Sequence, residues 1–390
     1  MRKIYFLFFI LISSGISFFG CGKTVTSDEI RLGAIFDLTG PTSETGNQFA
    51  EGVKGCISYI NSQGGINGRK VRLIAVDSAY VLQRDLAAYE KLVKEEKVHA
   101  IIGWSTGGTL ALVPKAAEDR IPYTGVSFSK ILSDPQRAPY YFMMGPTYSD
   151  QMIILLKYIK SDWKNKKGKP KVAFLFNGTE FGRSPIEDGR IFAERNGIEI
   201  VAEEVVNLDA REAMEQLNKV KEGKADYTII NETAWPTSVI LKDAKKIGLK
   251  TQFLGLIYSA DEKVIAFSGK DSEGYIGIFP HLFSETDIPG IKKIKEYNIK
   301  MKSGLKIIPF RYINGWITAQ MMLEGIRRSG DDLSGKNIKN GFESIRAYET
   351  GGITSPFSFT EKNHVGFNKA KLGRVVNGEW NVITDYVSAD

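Results

Sequence analysis

The chain has 390 residues, 43% of them hydrophobic and 25% charged, with a formal net charge of +7. That is the composition of an ordinary folded protein, long enough for two domains. Subtracting Arg2 and Lys3 from +7 leaves +5, a mild basic bias without the clustered basic face and stacking aromatics that a nucleic-acid partner would require.

In chain order the first element is a leader. Arg2 and Lys3 form a basic head, Ile4 to Phe19 is mostly apolar, and Gly20 precedes Cys21 and a polar stretch from Gly22 to Glu29. This three-part pattern is a secretory signal with a Cys directly after the cut. It resembles a bacterial lipobox, with Phe18 and Phe19 standing where Leu and a small residue are usual. The expectation is a signal peptide over residues 1–20, lipidation at Cys21, and a tether over 21–29. The mature chain is then anchored by lipid to a membrane, in the periplasm or at the cell surface. The alternative is an uncleaved N-terminal anchor, since about 17 residues is the lower limit of a bilayer span. With Cys21 acylated, Cys56 is left alone and no intrachain disulfide is expected.

From Ile30 onward, short apolar runs alternate with segments of helical period. Strands are expected at Ile30–Phe36, Val71–Val76, Val98–Gly103 and Ile121–Val126, with helices at Ser43–Asn61, around Leu82–Val93 and at Gly108–Asp119. In the first helix Phe49, Val53, Cys56, Ile57 and Ile60 share one face, which makes Cys56 a small buried hydrophobe. The lysine-rich run from Lys157 to Lys171 reads as a solvated turn between a helix and a strand. The alternation then restarts with strands at Lys171–Asn177, Ile198–Val206, Tyr227–Asn231 and Phe253–Leu256. The helix Ser184–Asn196 carries Ser184, Pro185 and Glu187 in the order of an N-cap, a first-turn proline and a capping-box partner. Two longer helices, near Pro289–Lys302 and Ile313–Arg328, follow a strand at Tyr275–Phe279. Repeated βα units imply parallel sheets covered on both faces, and two such sets imply two similar lobes.

Catalytic chemistry is hard to place on this chain. His99, His281 and His364 are scattered beyond metal-ligand spacing, and no metal or cofactor is expected. No Cys-x-x-Cys, His-Glu-x-x-His or Gly-x-Ser-x-Gly occurs. The loop GWSTGG (103–108) begins like a phosphate loop, but Thr109 and Leu110 replace the lysine and hydroxyl residue that would hold phosphate. An enzyme is therefore the least favoured class. Asn177-Gly-Thr179 and Asn231-Glu-Thr233 are formal glycosylation sequons. Small and hydroxyl residues gather in three loops, WSTGGT (104–109), GVSFS (125–129) and GTEFG (178–182), each at the C-terminal end of a strand. Open parallel sheets bind ligands there, and a helix start favours an anionic group such as a carboxylate.

These residues resemble a known family. IRLGAIFDLTGP (30–41), Gly46, Glu51-Gly52 and YINSQGGING (59–68) look like the opening of type I periplasmic binding proteins. The branch is the leucine/isoleucine/valine-binding group of ABC transporters. Ala100–Gly103, Ile121-Pro122, Glu180–Gly182, Ala225-Asp226, Leu241–Gly248 and Phe253–Gly255 extend the similarity over nearly the whole mature chain. The resemblance implies an α/β fold of two Rossmann-like lobes with parallel central sheets, joined by a three-strand hinge. It divides the chain into lobe 1, residues 30–147 with 282–353, and lobe 2, residues 148–281 with 354–390.

For the site, the resemblance implies that Ser105 and Thr106 form a hydroxyl loop and that Val126, Ser127 and Phe128 form the next, with Phe128 in place of the usual hydroxyl residue. It puts a first-lobe aromatic position near Thr45, a covering aromatic at Phe181 and another at Ala234 or Trp235. The family's acidic residue falls near Ile257, which cannot pair with an ammonium; Glu232 and Asp261 are the possible substitutes. Trp104, Thr233, Tyr258 and Tyr312 complete the candidate set. The implied function is a monomeric solute receptor that presents a small amino-acid-like or apolar carboxylate or amide ligand to an ABC permease. A sensor of the same fold, and a surface lipoprotein that no longer binds solute, are the alternatives.

Overall fold

The computed structural model describes Met1, residues 29–305 and residues 307–390. The leader, Cys21 and the tether up to residue 28 lie outside the described residues. Lobe 1 begins with β1 (Ile30–Phe36), α1 (Ser43–Ser62), β2 (Val71–Asp77) and α2 (Leu82–Glu90). It continues through β3 (Ala100–Gly103), α3 (Thr106–Glu118), β4 (Tyr123–Gly125) and β5 (Tyr141–Met143). The strands form a five-stranded sheet in the order β2-β1-β3-β4-β5, parallel at every pairing. Such strands are covered on both faces, and β3, β4 and β5 are accordingly buried throughout.

The chain then enters lobe 2 through α4 (Tyr148–Asp162), β6 (Lys171–Phe176), α5 (Glu180–Arg183) and α6 (Ile186–Arg195). Next come β7 (Glu199–Val205), α7 (Met214–Glu222), β8 (Tyr227–Asn231), α8 (Ala234–Lys246), β9 (Gln252–Gly255), α9 (Glu262–Ser268) and β10 (Ile276–Phe279). It returns to lobe 1 with α10 (Pro289–Lys300), α11 (Phe310–Arg328) and α12 (Gly335–Glu343). It finishes in lobe 2 with β11 (Lys369–Val376), β12 (Glu379–Val382) and β13 (Val387–Ser388). The second sheet is eight-stranded, ordered β12-β11-β10-β9-β8-β6-β7 with β13 on β11. Its strands β6 to β10 are parallel, and β11 joins antiparallel.

Lobe 1 is closed by packing α11 on α1 so tightly that the backbones touch. A Cβ on Gly52 would lie 2.0 Å from the Tyr312 carbonyl oxygen, and one on Gly315 would lie 2.0 Å from that of Phe49. The apolar face of α1 behaves as its period predicts, with Phe49, Val53, Cys56 and Ile57 all buried. Burial pushes the Cys56 thiol far up in pKa, so it stays protonated and inert.

Two local expectations change. Ser184 does not cap the start of α6: it is the residue that ends α5, and its hydroxyl donates to the Ser129 hydroxyl at 3.3 Å. A capping box forms instead at α4, where the Thr147 side chain accepts from the Asp150 amide and Asp150 accepts from the Thr147 amide, both at 3.0 Å. The segment 354–366 was expected in lobe 2 but lies against β5, with the Met143 amide donating to the His364 carbonyl and the Gly366 amide to that of Met143, both at 2.9 Å. The last crossing into lobe 2 therefore falls between residues 366 and 369. His364 is fully buried there, bonded to the Tyr141 carbonyl and the Glu343 carboxylate at 3.0 Å each.

Candidate functional site

The loops after β1, β3 and β4 in lobe 1 face those after β6, β8 and β9 in lobe 2 across a cavity of about 30 Å³. Its wall contains Thr45, Trp104, Ser105, Thr106, Val126, Phe181, Thr233 and Tyr258 from the expected set. Thr42, Tyr80 and Tyr148, outside the expected set, also line it. Ser127 and Phe128 sit one layer back, 0% and 1% exposed. The Ser127 hydroxyl donates to the Thr106 hydroxyl at 3.1 Å. The Phe128 ring packs against Tyr148 and Tyr258, with centroids at 5.7 and 6.5 Å. Trp235 and Tyr312 do not reach the cavity. Trp235 is 44% exposed on α8, its indole N–H donating to the Ala210 carbonyl at 2.9 Å. Tyr312 points toward α1 and α10, where its hydroxyl meets the Asn298 amide at 3.2 Å and lines a separate groove.

The lobe 1 wall is a hydrogen-bonded frame. The Trp104 indole donates to the Thr42 hydroxyl at 2.7 Å, which donates to buried Asp37 at 2.6 Å. Asp37 also accepts the Gly40 and Thr42 amides at 2.6 and 2.8 Å, which fixes the loop after β1. Ser105 is the N-cap of α3. Its hydroxyl accepts the Gly108 amide and donates to Asp85, both at 3.0 Å. Burial raises the Asp85 carboxyl despite the hydrogen bond it accepts from Ser105. Tyr80 enters the cavity from a strained turn, since Ala79 and Tyr80 both hold positive φ, 50° and 61°. Non-glycine residues in that region cluster at ligand sites because the surroundings must hold them there.

The lobe 2 wall is mostly aromatic. Asn177 and Asn231, flagged as glycosylation sequons, are each 1% exposed and act inside the protein. The Asn231 side-chain amide donates to the carbonyls of Phe181 and Gly182 at 3.2 and 3.1 Å, which sets the Phe181 ring. Glu232 lies beneath, and burial holds its carboxyl well above the usual range, toward the neutral form. Tyr258 stands edge-on to Phe181 at 5.4 Å and to Trp104 at 6.3 Å. Its hydroxyl crosses the cleft to donate to the Val126 carbonyl at 2.7 Å, and the Tyr148 hydroxyl donates to the same oxygen at 3.2 Å.

Further contacts tie the lobes at the rim. Lys130 pairs with Asp188 at 2.7 Å and Lys263 with Glu44 at 2.8 Å. The Glu262 carboxylate accepts the Phe310 amide at the start of α11 at 3.2 Å. The fully buried Arg311 meets Asp261 at 3.2 Å and the Ile257 carbonyl at 2.5 Å. The lobes are thus closed on one another. Among the described residues no group of three or more His, Cys, Asp or Glu could hold a metal ion, and no helix is long and apolar enough to cross a membrane.

A cleft of this kind, between two parallel-sheet lobes and lined by strand ends, has known counterparts. A sequence profile of periplasmic binding proteins matches residues 29–379. The Leucine-, isoleucine-, valine-, threonine-, and alanine-binding protein of Pseudomonas aeruginosa is 22% identical, over 87% of this chain and 88% of its own. The Leu/Ile/Val-binding protein of Escherichia coli is 23% identical, over 69% and 71%. A branched chain amino acid ABC transporter protein from Thermus thermophilus with bound valine superposes with a TM-score of 0.87 and 26% identity, over 92% of this chain and 96% of that one. An ABC transporter substrate binding protein from Aeropyrum pernix gives 0.86 and 25%, over 93% and 96%. The profile spans both lobes and both cleft walls, and the chain belongs to the periplasmic binding protein family.

Proposed function

We propose that the protein is the extracytoplasmic solute receptor of an ABC importer, which captures a small molecule between its lobes and presents the closed form to a membrane permease. The observation that carries this reading is the cavity itself, walled by hydroxyls, two aromatics and a helix start from lobe 1 and mostly by aromatics from lobe 2. A ligand touching both walls favours the closed form by its extra contacts there, and no covalent step is involved. The relatives from Pseudomonas aeruginosa, Escherichia coli and Thermus thermophilus, named for branched-chain amino acids, support a ligand of that size. Within the site Thr106, Thr45 and Thr233 would supply polar contacts and Trp104, Phe181 and Tyr258 the apolar enclosure. Ser105 acts by capping α3. The receptor works as a monomer held to its membrane through Cys21.

A thermal-shift panel of amino acids, short carboxylates and amides tests the reading on the full chain. A ligand at 100 times its dissociation constant adds about 2.7 kcal/mol, a rise of a few degrees for a chain of this length. Such a rise with at least one small solute is expected; silence across the panel would favour a surface lipoprotein that binds nothing.

A further inference from the structure

We infer that the cleft takes a short monocarboxylate with no ammonium group; the inference rests on the receptor reading above and names its ligand class. Every residue lining the cavity is uncharged. An ammonium entering it would need a carboxylate or several free acceptors, because an unpaired charge there bears the full cost of desolvation. The cleft carbonyl at Val126 has two lone pairs, and two tyrosine hydroxyls already donate to it, Tyr258 at 2.7 Å and Tyr148 at 3.2 Å. Tyr258 is not free to leave. The Tyr258 ring is wedged between Phe181 and the guanidinium of Arg311, which lies 4.7 Å from the ring centroid. Arg311 is itself pinned by Asp261 and the Ile257 carbonyl.

The groups left unengaged on the cavity wall are backbone donors and two hydroxyls, which can donate to an anion; the unpartnered acceptors Asn231 Oδ1 and Glu232 Oε1 are buried behind the wall. The amides of Thr106 and Gly107 open α3 and have no acceptor within the helix, because the helix begins there. The side chains of Thr45 and Thr233, 5% and 8% exposed, line the cavity from opposite lobes, and their hydroxyls have no hydrogen-bond partner among the described residues. The positive end of a helix at Thr106, with two unengaged hydroxyls lining the same cavity, fits a carboxylate. The buried acids behind the wall, Asp85 and Glu232, do not line the cavity, and burial shifts both toward their neutral forms. The small space that the closed lobes leave between them favours a small ligand.

Calorimetric titration of the full chain with 3-methylbutanoate and with L-valine, which differ only by the ammonium group, is the direct test, with 3-methylbutanamide as a third probe. The expected result is that 3-methylbutanoate binds at least tenfold more tightly than L-valine. Tyr258→Phe, which keeps the ring and releases one lone pair of the Val126 carbonyl, narrows that ratio. L-valine binding as tightly or more tightly overturns the inference and leaves the receptor reading standing. Binding of the amide alone overturns the choice of a carboxylate. An unchanged ratio in Tyr258→Phe overturns the part assigned to that hydroxyl. If none of the three probes binds, the inference fails; the receptor reading fails with it only if the wider thermal-shift panel is also silent.

Discussion

Where Tyr258 meets Val126 the lobes touch through neutral groups, and where residues 261–263 meet the starts of α11 and α1 they touch through charges. The neutral region is the wall of the cavity. Each of its cross-lobe hydrogen bonds contributes about 0.5–1.5 kcal/mol net, so closure there stays responsive to what a ligand adds. The charged region is buried beside it, with Arg311 and Asp261 0% and 1% exposed. Pairs of that kind add little in themselves, yet removing one partner strands the other in a low-dielectric setting. The difference separates two tasks, recognition among neutral groups and fixing of the lobes among charged ones.

The comparison breaks most visibly at Arg311. Arg311→Met leaves Asp261 buried and unpaired and is expected to lower stability by about 3–5 kcal/mol, read from the denaturant midpoint. Adding Asp261→Asn to it should recover much of the loss. Glu262 gives a pH signature. Burial first, and the neighbouring Asp261 charge second, raise its carboxyl to about 7. The native state therefore holds that proton more tightly than the unfolded chain, whose glutamate titrates near 4.3. Its contribution is fully present below that value and is lost as the pH rises through about 7. Thermal unfolding from pH 4.5 to 7.5 should show the wild type losing stability relative to Glu262→Gln as the pH rises; parallel profiles would contradict this.

On the neutral side, Ser105→Ala removes the cap of α3 and should cost about 0.5–2 kcal/mol, with weaker solute binding because the amides of Thr106 and Gly107 lose their support. The smallest effect belongs to the rim. Lys263→Ala deletes an ion pair with Glu44, a half-exposed group, and should cost under about 1 kcal/mol, a difference that shrinks further at high salt.

The sheet architecture was legible because buried parallel strands read as apolar runs, and observed strand ends such as Ala100–Gly103 and Tyr227–Asn231 fall within two residues of expectation. The hydroxyl loops were legible for the same reason: strand C-terminal ends in a parallel sheet must face one crevice. What the chain hides is the direction of single side chains. Trp235 and Thr233 are two residues apart at the start of α8, yet the helix turns one outward and the other into the cleft. Tyr312 is aromatic and close in sequence to Arg311 but faces α1. Tyr80 reaches the cavity only through two consecutive left-handed residues, and Tyr148 only because the capping box at Thr147 starts α4 beside Val126. Neither leaves a local pattern. The segment 354–366 pairs with β5 through contacts more than 200 positions apart, so no window of sequence assigns its lobe.

The most direct measurement of the central claim, capture by closure of two lobes, is the distance between spin labels placed by Ile131→Cys in lobe 1 and Ile191→Cys in lobe 2, both exposed. It is read by pulsed electron resonance with and without the solute that stabilises the protein most. The account predicts a broad distribution that collapses to one short distance when solute is added. An identical distribution in both conditions would contradict it.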